Sequence, residues 1–251
     1  MPPFITSKSI NFIRKSIPQD SLSMHLDVSN IRSYSGSGDW KDIKGGRNFT
    51  SNGTTTPLHT TTEGIKSFQF NNSGWWGSND NTAGVDMGGD CTLLFWFFYE
   101  VLTERDTIFE KAGNTYASYE QEIAVTLEHS YSKFSYYSRP LAGGGAYDYG
   151  RTALMSHNTW NLVGIKMSDG YTDNIGRNGW HSLNGSTWTS DYTQRSTLAV
   201  VPAGQIRIGY GYENEMEASR ITMLTTYNKM LSDKEVLDYY NVTKGKFGIH
   251  G

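Results

Sequence analysis

One cysteine, Cys91, stands alone among 251 residues, so no disulfide can form within the chain and stability has to come from an ordinary core. Its apolar neighbours, Thr92 through Phe98, predict a buried thiol. An excess of positive charge is also missing. The formal net charge is −3 and the lysines and arginines are scattered, which leaves no basic surface for a phosphate backbone and argues against a nucleic-acid partner. The longest apolar run, from Leu93 to Tyr99, falls well short of the roughly 20 residues a membrane-spanning helix needs, so no membrane insertion is expected. No N-terminal segment combines a basic start, an apolar run and a small-residue cleavage site, which disfavours the general secretory route. The six histidines are dispersed without a His-x-His or His-Glu-x-x-His pair, so zinc is not expected. A Gly-x-Ser-x-Gly elbow is absent, and Gly143 to Gly145 lack the lysine and helix of a phosphate-binding loop.

What the chain does have is glycine, serine, threonine, asparagine and tyrosine in quantity, the balance of many short strands joined by turns. At this length an all-β chain commonly forms one domain. Strand patterns of period two recur. Phe68 and Phe70 alternate with polar residues, and Leu93 to Val101 is apolar on both faces, as a central strand between two layers should be. Ile123, Val125 and Leu127 alternate with Ala124 and Thr126. Val163, Ile165 and Met167 predict one face, Ile206, Ile208 and Tyr210 another, and Ile221, Met223, Thr225 and Tyr227 a last. Ser232 to Glu235 has the spacing of a capping box, and Val236, Leu237 and Tyr240 follow at helical separations, which predicts a short helix at the end of the domain. Residues 1–20 mix prolines, bases and isolated apolar side chains. Two readings fit them: an arm that lies on another protein, or a first edge strand with a frayed terminus. The Asn-x-Ser/Thr triplets at Asn48, Asn52 and Asn241 are expected by chance in such a composition and carry no glycosylation assignment.

Both ends of the chain resemble one family. Arg220 to Tyr240 is similar to the closing strand and helix of laminin-G-like, concanavalin A-like domains, with Lys229 where arginine is usual and Met230 where alanine is usual. Tyr240 to Ile249 resembles the ending of the version carried by tailed-phage structural proteins. Leu26-Asp27, Ser33 to Gly38, Trp40, Asp42 and Gly45 resemble the opening of that same group. In the middle, Thr92 to Phe97 looks like the family's apolar central strand and Trp160 to Val163 like its Trp-x-x-Val strand, while Gly170 to Tyr192 replaces the usual Asn-Gly hairpin. The resemblance implies an all-β fold over residues 21–251: a two-sheet antiparallel β-sandwich, a concanavalin A-like jelly roll with a short C-terminal helix. It also implies a virion component, such as a capsid decoration or a tail or fibre-associated protein, assembled in the host cytoplasm. Its partners would be other virion proteins, in a homo-oligomer or multicopy array. Fold alone does not fix function.

Sugar rings stack on aromatic side chains while nearby polar groups bind their hydroxyls. Two loops have that composition, one with Trp75, Trp76 and Asp80, the other with Trp180, His181, Trp188 and Tyr192. The competing reading is that these indoles plug the ends of the sandwich or touch a neighbouring subunit. Asp86 and Asp90 could serve calcium at the rim, or be turn residues, since no spaced acidic loop accompanies them. Glu213, Glu215 and Glu217 share a strand-like spacing with some sandwich glucanases, but Asn214 and the all-Glu set depart from that pattern. The expectation is therefore a displayed, non-enzymatic protein without a required cofactor that could bind a host surface polysaccharide. The alternatives are a dedicated adhesin or a polysaccharide hydrolase.

Overall fold

The computed structural model describes residues 17–71, 74–78, 82, 84–100, 106–112, 121–128, 133–139, 150–151, 155–169, 178–193, 204–211, 216–217 and 219–249. Strand β7 (Cys91–Tyr99) shows why the chain folds into layers. Cys91, Leu93, Phe95, Phe97 and Tyr99 enter the core between two sheets, and the lone thiol is buried there. The alternate residues Leu94 and Trp96 belong to a second cluster on the outer side. A strand covered on both faces has no place for a polar set, which is why the run reads as continuously apolar.

Sheet A runs β14 (Thr189–Thr193), β13 (Asn178–Leu183), β12 (Asn161–Met167), β7, β16 (Ser219–Tyr227), β5 (Ile65–Phe70) and β4 (Leu58–Thr62). Strand β1 (Leu22–Asp27) shares the free edge of β16 with β5. Sheet B runs β11 (Gly150–Arg151), β10 (Lys133–Arg139), β9 (Gln121–Glu128), β8 (Asp106–Ala112), β15 (Gln205–Ile208), β6 (Gly74–Ser78), β3 (Asn48–Gly53) and β2 (Trp40–Lys41). All pairings are antiparallel, so the expected two-sheet β-sandwich is present.

The second cluster exists because helix α1 (Asp233–Thr243) lies over sheet A. Ser232 caps it, exchanging hydrogen bonds with Glu235 as the capping-box spacing predicts. The helix buries Val236, Tyr239 and Thr243, whereas Leu237, one of the residues expected to pack, is 45% exposed. A 3-10 turn, Lys244–Phe247, then sets Phe247 against Trp96 with ring centroids 3.9 Å apart. No described helix is long and apolar enough to cross a membrane.

A register shift between Ile221 and Met223 turns Ile221 inward with Leu224, so it leaves the expected face of Ile221, Met223, Thr225 and Tyr227, while Met223, Tyr227 and Thr225, hydrogen-bonded to the Tyr239 hydroxyl, share the outer side. Residues 1–16 lie outside the described residues, and Ile17 is buried in the second cluster.

Candidate functional site

Trp75 and Trp76 are neighbours on β6 and point to opposite faces. Trp76 is fully buried between the sheets, packed on Phe68 at 4.7 Å and Trp40 at 6.3 Å between centroids. It offers no surface to a ligand, which corrects its place among the stacking candidates. Trp75 is half-buried on the outer face of sheet B and stacks on Tyr210, with centroids 5.1 Å apart and planes within 17°. Two glycines make room for this ledge. A Cβ at Gly77 would overlap the benzo edge of the Trp75 indole, and one at Gly211 would overlap the Thr107 methyl. Gly209, at φ +85°, breaks the alternation after β15, so Tyr210 leaves the face of Ile206 and Ile208 on which its spacing predicted it.

Beside the ledge runs a row of cross-strand partners on the same outer face: Thr50, Gly77, Arg207, Glu110, Ala124 and Tyr137. Arg207 Nη1 donates to Glu110 Oε2 at 3.2 Å and its Nε to Gln205 Oε1 at 3.0 Å. Gln121 Nε2 donates to the other Glu110 oxygen. Asn52, half-buried, pairs across the ladder with Trp75. The hydroxyl of Thr107, fully buried, has no hydrogen-bond partner. Tyr210, Arg207, Glu110 and Gln121 were not among the sequence candidates. The available signal was Gln205 and Arg207 alternating with Ile206 and Ile208.

Trp180 and Trp188 lie elsewhere, on the outer face of sheet A. Lys166 Nζ stands 5.5 Å from the Trp180 ring and 4.7 Å from the Trp188 ring and donates to the Leu231 carbonyl at 3.2 Å. Burial lowers the Lys166 pKa, and Asp233 partly counters it. Trp188 N donates to Asp233 Oδ1 at 2.9 Å, and its indole covers Gly164, where a Cβ would sit 3.0 Å from the ring. These contacts fasten β12 to the start of α1. An Asn-Gly turn is present after all: Asn184 and Gly185, at φ +52° and +74°, close the β13 end.

The remaining candidates disperse. His181 is paired with Ile165 on the inner face and is buried, which removes it from the Trp180 side. The backbone of Tyr192 pairs with Gly179, and its side chain, like Asp80 as a whole, lies outside the described residues. Asp86 Oδ1 accepts from the Gly88 and Gly89 amides at 3.1 and 2.9 Å, the bonds of a turn residue, whereas Asp90 Oδ1 accepts from the distant Asp169 amide at 2.8 Å and ties the start of β7 to the end of β12. Among the described residues no group of three or more His, Cys, Asp or Glu side chains could hold a metal. Glu213 and Glu215 lie outside the described residues, and the Glu217 amide donates to Asp106 Oδ2 at 3.1 Å.

No protein-family model and no curated protein matches the chain. Solved structures do. Domain 4 of an extracellular GH43 arabinanase from Geobacillus stearothermophilus, in complex with arabinotriose, is similar with TM-score 0.65 and 18% identity over 89% of this chain and 100% of that one. The binding domain of botulinum neurotoxin DC, in complex with SialylT, gives 0.63 and 14% over 88% and 51%. Trypanosoma rangeli sialidase, in complex with sialic acid, gives 0.61 and 11% over 92% and 34%. The chain thus spans the whole arabinanase domain, about half of the toxin chain and a third of the sialidase. At these identities the likeness is one of fold.

Proposed function

We propose that this chain is a non-catalytic carbohydrate-binding β-sandwich displayed on a phage virion, and that a host surface glycan stacks on the Trp75–Tyr210 ledge. The carrying observation is the ledge itself: two stacked, half-buried rings with Asn52 and Thr50 beside them, which is the chemistry a sugar ring needs. The similar structures were solved with arabinotriose, SialylT and sialic acid. The virion setting rests on the resemblance of both chain ends to phage structural domains. Display in many copies would let a millimolar single site, about 4 kcal/mol, hold firmly.

The carboxylates of sheet B support binding over hydrolysis. Glu110 is tied to Arg207 and Gln121, Glu122 Oε2 to Lys111 and the Met87 amide, and Glu128 to Ser135.

A glycan array at high protein density, run with the full chain and with Trp75→Ala, tests the site. Binding that Trp75→Ala abolishes is expected, whereas no binding, or equal binding by the variant, overturns it. Mass spectrometry of purified particles tests the setting, and absence of the chain from them removes it. If residues 1–16 are the anchoring arm, deleting them while keeping buried Ile17 leaves a folded domain that no longer joins the particle.

A further inference from the structure

We infer that the ledge selects neutral glycans over acidic ones, an inference that rests on the glycan-binding reading above. A sugar carboxylate is held by a cation whose N–H groups are turned to it, most often the two-pronged edge of an arginine. Among the described residues, Arg207 is the cation in position to do this, since it is the cross-strand partner of Gly77, the residue beneath the Trp75 indole. Its Nη1 is already on Glu110 and its Nε on Gln205. Both members of the pair are buried, Arg207 at 7% and Glu110 at 1% exposure. Turning Arg207 to a ligand would strand the Glu110 carboxylate in the interior without its cation, a cost that a single carboxylate contact does not repay. Lys41 on β2 and Lys133 on β10, on this same face, are each two strands or more from Trp75, as are Arg139 on β10 and Arg151 on β11.

What is left near the ledge is dipolar. Asn52, whose Nδ2 donates to the Thr50 carbonyl at 2.9 Å, and Thr50 flank Trp75. Amide and hydroxyl groups of this kind match sugar hydroxyls and gain nothing from a ligand's charge. An acidic sugar would also leave part of its hydration shell to approach an ion pair that is already neutral.

The test is titration of the full chain with arabinotriose and with a sialylated oligosaccharide beside its desialylated parent, each also against Trp75→Ala. Neutral members are expected to bind, the sialylated one about tenfold more weakly than its parent. Neutral binding should be nearly unchanged between about 50 and 500 mM NaCl, because no charge pair forms across the contact. Preference for the sialylated member, lost in Trp75→Ala and weakening with salt, overturns the inference while leaving the ledge a glycan site. Binding of no panel member by the full chain overturns both.

Discussion

Lys246 Nζ lies 2.9 Å from Asp27 Oδ2, joining the turn that follows the helix to the first strand. Asp27 also accepts from the Ser29 amide and hydroxyl, and its own amide donates to Ser33 Oγ, which donates in turn to the Lys41 carbonyl at 2.6 Å. Asp42 receives the His25 amide and Arg47. Asp27, Ser33, Asp42 and Lys246 are among the residues that carry the family resemblance of the chain ends. They fasten strands and do not line the ledge, so the resemblance speaks to the fold and not to a ligand.

Breaking that clip should be felt most in acid. Burial alone would raise the Asp27 pKa, but Lys246, His25 and the Ser29 hydroxyl outweigh it, and the group ends below its ordinary value of 3.8. A depressed carboxyl contributes stability above the unfolded value and loses it as pH falls through the folded one. Lys246→Met leaves a buried charge without its partner, costs on the order of 3 kcal/mol at neutral pH and raises the acid-unfolding midpoint. Urea melts at pH 7 and an acid titration followed by circular dichroism measure both, and an unchanged acid midpoint would show that the pair contributes nothing.

Adjacent tryptophans should part company on substitution. Trp76→Ala empties a fully buried site and should cost about 3–5 kcal/mol in chemical denaturation. Trp75→Ala removes a half-buried ring from the outer face and should leave the fold near wild type while abolishing glycan binding. Equal destabilisation by both would mean that the ledge is core.

The sequence carries the architecture because period-two patterns and the capping box are local signals, and β7, β9, β12 and the Ser232 cap follow them closely. It carries the site poorly because faces are decided by single-residue events. The shift between Ile221 and Met223 parts Ile221 from Met223 and Tyr227, and the positive φ of Gly209 turns Tyr210 away from Ile206 and Ile208. Two adjacent indoles look alike in sequence, and only the register of β6 against β15 tells which one is outside. The Arg207–Glu110 pair joins residues 97 apart and has no local signature.

Gly77 separates fold from function in a second way. It has no positive φ, so its backbone tolerates a side chain, and glycine within a strand is a weak choice by about 0.5–1 kcal/mol. A Cβ there would nonetheless overlap the Trp75 indole and come 3.0 Å from Asn52 Nδ2. Gly77→Ala is therefore expected to hold or raise the melting temperature while weakening glycan binding about tenfold and altering the near-ultraviolet dichroism of the Trp75–Tyr210 pair. Unchanged dichroism would mean that the indole does not need the glycine.

His59 should give the chain a second, milder acid response. Its ring packs against Tyr34 at 5.0 Å and Phe68 at 6.0 Å, and its Nε2 is buried without a hydrogen-bond partner, so a proton placed there finds no acceptor. Burial first, and Lys66 second, hold its pKa below the ordinary 6.5. The unfolded chain then takes up the proton before the folded one does. Stability is full above 6.5 and declines as pH falls from there to the folded value, below which this residue adds no further loss. That window lies above the one governed by Asp27, so the two responses can be read apart. Denaturant melts of wild type and His59→Leu between pH 8 and about pH 5 isolate the term. The difference between the two proteins should change with pH below 6.5 and stay constant above it. A difference that is constant throughout would mean that His59 titrates alike in the folded and unfolded chain.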